Sequence, residues 1–145
     1  METFKNPLNE SKRGEIDIFD PHYGAVKADL VFDLGRVVKI TKNMCSILDY
    51  SYQQIMNERI NKIMPLMFAR NHDKFIRNFV DKGIIKIMQL KEKVVYARNN
   101  KKFIVPVNLK LKVDYSSSEG MYAMAFIKMT ETKSEFILMN NYGKI

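Results

Sequence analysis

Asp33-Leu34-Gly35-Arg36-Val37-Val38 stands between two short apolar runs, residues 28–32 and 37–41. Aspartate and glycine in that setting read as a tight turn, because glycine takes left-handed backbone without a steric penalty. Two antiparallel strands therefore open the domain. After Asn43 the apolar period lengthens. Met44, Ile47 and Leu48 make a short helical turn, and Ser51 with Gln54 three residues on is a capping-box start for a helix carrying Tyr52, Ile55 and Met56. Pro65 suits the first turn of a longer helix, on which Phe68, His72, Phe75, Ile76, Phe79 and Val80 share a face. Gly83 is placed to end that helix as a left-handed cap.

The last third alternates. Residues 94–98 lead through Asn99-Asn100 into a run where Phe103, Val105, Val107, Leu109, Leu111 and Val113 alternate with Ile104, Pro106, Asn108, Lys110, Lys112 and Asp114. That is one buried and one wetter face. Pro106 has no ladder donor, which points to an edge strand or a bulge. Ser116-Ser117-Ser118-Glu119-Gly120 turns the chain into residues 121–130, where both alternating sets are largely apolar, as a central strand covered on both sides requires. Together the periodicities predict an α+β fold, a five-stranded antiparallel sheet with the helices on one face.

Asp33-Leu34-Gly35-Arg36-Val37-Val38, Asn43, Ile63-Met64-Pro65, Asn71-His72-Asp73-Lys74-Phe75-Ile76 with Gly83, and Phe103-Ile104-Val105-Pro106-Val107 resemble, in order and spacing, the PAS fold of signalling proteins. The resemblance implies structural roles for Gly35, Asn43, Pro65, Gly83 and Pro106, with the Asn43 amide bonding backbone of the opening hairpin. It also implies an N-terminal extension or cap over 1–24, a PAS domain over 25–133, and a linker or the start of a following module over 134–145. The pattern of Pro65, His72-Asp73 and Pro106 is similar to PAS repeats of large membrane-associated proteins of ciliated protists.

Composition narrows the classes. One domain of 145 residues with 46% hydrophobic content builds a core without metal or disulfide staples. The single cysteine, Cys45, excludes an internal disulfide and fits a reducing, cytoplasmic setting. No apolar run approaches the roughly 20 residues that span a bilayer, so this segment is not expected to insert in a membrane. Lys plus Arg exceeds Asp plus Glu by 24 to 16, a net charge of +8, which raises a basic nucleic-acid-binding domain as one alternative. The lysines are scattered as singles and pairs with no run of five, so a solvated basic surface without nucleic acid is the preferred reading.

His72 poses the sharpest chemical question. Haem-binding PAS domains of oxygen-sensing kinases and phosphodiesterases carry their proximal histidine on this helix, and Met64-Pro65, His72-Asp73, Phe75 and Ile76 resemble that motif. A neutral imidazole in an apolar cavity can reach iron, so His72 is the candidate metal ligand, with Met88 or Leu90 near the distal side. Those sensors place an arginine on the following strand, where this chain has Lys91, Glu92 and Lys93. The expectation is therefore no cofactor, with His72 partly buried and bonded to a neighbouring group, and haem as the alternative. Flavin is disfavoured: photosensing PAS domains need a cysteine in the helical middle, where this chain has Arg59-Ile60-Asn61-Lys62, and Cys45 lies too early. Met64, Met67, Phe75, Phe79, Met88, Met124 and Phe126 are the candidates for a small apolar pocket, although their spacing equally serves a plain core.

No phosphate-binding loop, spaced carboxylate pair or metal-ligand cluster can be assembled from local motifs, so the chain is not expected to be an enzyme. The reading is a signalling module that docks to a second copy, as a homodimer, or to a neighbouring domain of its own protein. The outer sheet face and the N-terminal segment with Ile16, Ile18 and Phe19 would form the contact. A ligand sensor is the competing class.

Overall fold

The structure, a computed structural model, describes residues 20–82, 92–131, 137, 139 and 141–144. Strands β1 (Gly24–Asp29) and β2 (Val37–Ile40) precede helices α1 (Lys42–Leu48) and α2 (Tyr52–Ile55), a 3-10 turn (Ile60–Ile63) and helix α3 (Leu66–Lys82). Strands β3 (Lys93–Arg98), β4 (Ile104–Ser116) and β5 (Gly120–Met129) follow. The five strands form one antiparallel sheet in the order β2-β1-β5-β4-β3. The opening hairpin thus lies beside the last strand, and β5, apolar on both faces, is the central one.

Parity sorts the side chains. Val26 and Ala28 of β1 lie level with Ala125 and Ala123 of β5, which lie level with Leu111 and Val113 of β4. These form the inner face under the helices. Lys27, Met124 and Lys112 share a row of the opposite face, and Ala25, Phe126 and Lys110 the next. The core gathers where α1 meets the sheet: Met44, Leu48, Val26, Val37, Ile55 and Val107 are fully buried. Each removes about 1.5–3 kcal/mol worth of apolar surface from water.

The local devices that shape the fold are polar. Thr41 caps α1, its Oγ1 accepting from Met44 N at 3.3 Å and from Ala25 N at 2.9 Å, which ties the helix start to β1. Gly24 lies where a Cβ would sit 2.6 Å from Met44 Cα, so only a glycine lets α1 come this close. Gln54 reaches back to accept from Ser51 N at 2.9 Å, as the capping box requires.

Three expectations need correction. The apolar run 28–32 is strand only at its first two residues. Strand β1 ends at Asp29, whose carboxylate accepts the backbone N–H groups of Val31, Phe32 and Asp33 and bends the chain outward, leaving Val31 and Phe32 exposed. Pro106 sits neither on an edge strand nor in a bulge. It is the third residue of β4, opposite Tyr96 of β3, and its carbonyl accepts from Thr130 beyond the last paired residue of β5. A residue's N and O point to one side of a strand, so the missing donor falls where the β5 ladder has ended. The face of α3 is also less buried than its periodicity implies: Ile76 is buried, whereas Phe68 and Phe75 are about half exposed, at 49% and 47%. Gly83, Met88 and the Ile16, Ile18 and Phe19 patch lie outside the described residues.

Candidate functional site

Between α3 and the inner sheet face lies a cavity of about 170 Å³. Val26, Ala28, Val107, Leu109, Ala125 and Ile127 supply its sheet wall, and Met44, Ile60, Ile63, Met64, His72 and Ile76 its helical wall. Among the described residues the lining is almost wholly hydrocarbon and contains no lysine, arginine or carboxylate. Small alanines at four sheet positions, Ala28, Ala97, Ala123 and Ala125, leave the space that larger side chains would fill.

His72 is a polar member of the helical wall, and Tyr96 of β3 a polar member of the sheet wall. The Nδ1 of His72 is buried with no hydrogen-bond partner, and its ring stacks on Phe75 with centroids 6.4 Å apart. The expected hydrogen bond to a neighbouring group is therefore absent at Nδ1. Burial pushes the His72 proton affinity below the ordinary histidine range, opposed by the charge of Asp73. The two halves of the His72-Asp73 pair serve different ends. Asp73 turns away from the cavity to accept from Asn61 Nδ2 at 3.2 Å and to face Arg59 Nη1 at 3.7 Å. Arg59 in turn donates to Leu34 O at 2.9 Å and approaches Asp33 at 3.5 Å, so it bridges the β1–β2 turn and α3. No sequence motif marked Arg59 or Asn61, because their partners lie far along the chain.

The proposed pocket set is divided by the structure. Met64 lines the cavity; Met67 and Phe75 are exposed and Phe79 is half-buried, none of the three reaching the lining. Met124 and Phe126 belong to the opposite sheet face, in register with Lys27 and Ala25. Gly35 adopts φ +80° at the turn, as a left-handed position requires, and Pro65 directly precedes α3, its carbonyl accepting from Phe68 and Ala69. Asn43 Nδ2 donates to Tyr23 O at 3.2 Å, one residue before β1 and away from the Asp33-Leu34-Gly35 turn, which Asp29 and Arg59 hold instead.

The cavity of about 170 Å³ is smaller than the roughly 300 Å³ at which pockets for drug-sized ligands begin. Cys45 is absent from the lining; it is buried on α1, and burial pushes its thiol pKa up. Among the described residues no group of three or more His, Cys, Asp or Glu could hold a metal ion.

The outer face of the sheet has its own polar centre. Lys27 is buried, pairs with Glu119 in the β4–β5 turn and lies 3.8 Å from the centroid of the Tyr122 ring. The bond from Lys27 holds the Glu119 carboxyl below its ordinary pKa. Tyr122, Met124 and Phe126 form a row down the central strand on this face. Some of the basic residues form ion pairs: Lys112 with Asp114, Lys62 with Glu58, Lys101 with Asp49 and Arg36 with Asp33.

Known structures share this arrangement. The PAS domain of an HTR-like protein from Haloarcula marismortui superposes with a TM-score of 0.58 at 10% identity, covering 74% of this chain and 81% of that one. A PAS domain from Desulfitobacterium hafniense gives 0.58 at 11% identity over 75% and 93%. A fungal LOV domain photoreceptor gives 0.57 at 12% identity over 80% of each chain. The fold is the PAS fold. The chain matches no family model. In sequence it is similar to a probable serine/threonine-protein kinase of Dictyostelium discoideum, 21% identical over 77 residues, which is 53% of this chain and 5% of that protein. Among the described residues of this PAS fold, no helix is long and apolar enough to cross a membrane.

Proposed function

We propose that this chain is a sensory signalling module of a larger cytoplasmic protein, working through docking of its outer sheet face to a second copy or to a neighbouring domain. The observation that carries the reading is the row of Tyr122, Met124 and Phe126 on the central strand, on the face away from the helices. Tyr122 and Met124 remain partly open to solvent there, and apolar surface of this kind marks contact sites. The PAS fold supports the signalling role, since similar structures include a PAS domain from a two-component sensor histidine kinase, at 15% identity and a TM-score of 0.52. The scatter of the lysines as singles and pairs along the sequence, with no run of five, weighs against nucleic acid as the partner. The test is sedimentation of the chain and of Met124→Glu. The expected result is a concentration-dependent dimer, or a complex with the neighbouring domain, that the substitution dissolves. A chain that binds neither, or binds equally well as Met124→Glu, rules the docking reading out. The second reading, a ligand sensor, is favoured by the apolar cavity with its unpaired His72 Nδ1.

A further inference from the structure

The cavity and His72 together restrict what could enter. An apolar protein cavity of roughly 150 Å³ stays dry and accepts benzene, and the volume here is about 170 Å³. A single aromatic ring therefore suits the space. A carboxylate does not, because the described lining residues offer no cation to hold it. His72 lines this wall, and its Nδ1 is buried without a partner among the described residues, in a lining whose other polar member is Tyr96. Buried polar atoms are nearly always satisfied, so an orphan of this kind calls for a partner.

We infer that the cavity is a binding site for a small neutral phenol, whose ring fills the space between Met64, Leu109 and Ile127 and whose hydroxyl meets His72 Nδ1. A hydroxyl both donates and accepts, so it serves whichever tautomer the imidazole adopts. The burial that lowers the proton affinity of His72 keeps the ring neutral near pH 7, which suits a neutral guest. The inference rests on the sensory reading and supplies its input, while the docking face lies on the other side of the sheet.

The test titrates the unaltered chain with phenol, toluene and anisole, followed by backbone amide shifts. Phenol is expected to bind saturably and about tenfold more tightly than toluene or anisole, the worth of one net hydrogen bond. His72→Phe keeps toluene binding and erases the preference for phenol. Ala125→Leu, which fills the space, abolishes binding of both. Should that variant fail to fold, 2-naphthol on the unaltered chain replaces it, and the two-ring molecule is expected not to displace phenol. Absence of saturable phenol binding, equal affinity for toluene, or a phenol preference that survives His72→Phe each overturns the proposal. Sedimentation of the same samples separates the two ideas: loss of the Met124-dependent contact with phenol binding intact removes the docking reading alone.

Discussion

The seven-residue α1 buries Met44, Cys45 and Leu48, whereas the seventeen-residue α3 buries only Ile76. Both lie on the same side of one sheet. The difference comes from the backbone beneath them. Gly24 lets α1 approach β1 until its Met44 is in contact with main chain, while under α3 the alanines of β1 and β5 leave the cavity open. The long helix thus has polar ties at Asn61 and Arg59 beside the burial of Ile76. Helix length and apolar periodicity say which side faces inward, not how much is held there.

The contrast can be broken by mutation, beginning at the tight end. Met44→Ala empties a fully buried site and should cost about 2–5 kcal/mol in urea unfolding; a loss below 1 would put the core elsewhere. Gly24→Ala forces a Cβ against the Met44 backbone and should cost about 1–3 kcal/mol, read from the same midpoint. The slack end is tested by pH. His72 has a folded proton affinity below its ordinary value of 6.5, so the unfolded chain binds the proton more readily. Its contribution is intact above that value and is lost as the pH falls below it, with a slope of at most about 1.4 kcal/mol per pH unit. His72→Phe should flatten that segment of the profile, and an unchanged profile would mean that the imidazole is not buried. Smallest of all, Leu66→Ala at the exposed start of α3 should stay within about 0.5 kcal/mol. A cost comparable to Met44→Ala would erase the distinction between the helices.

Strand number, the place of β5 at the centre and the inward face of β4 were legible because period-two alternation needs no knowledge of distant partners. The end of β1 was not. Leu30, Val31 and Phe32 look like strand, yet three backbone hydrogen bonds to one Asp29 carboxylate outweigh their propensity. Met124 and Phe126 were assigned to the pocket because they are large and apolar, but in a strand apolar on both faces nothing local says which parity meets the helices. The cavity was likewise hidden, since a void arises from what small side chains on several strands fail to fill. His72 could be placed on the inner side by its helical spacing; that its Nδ1 lacks a partner is a property of the assembled wall.

Arg59 gives the domain a mechanical connection across its helical side. One guanidinium donates to the Leu34 carbonyl at 2.9 Å while facing Asp33 and Asp73, so it straps the first turns of α3 to the hairpin that carries β2, the edge of the sheet. Side chains this exposed make a soft strap, each ion pair worth about 1 kcal/mol or less and weakened by salt. An outward push on α3 therefore reaches the sheet's margin partly through Arg59, and that part of the transmission softens as ionic strength rises.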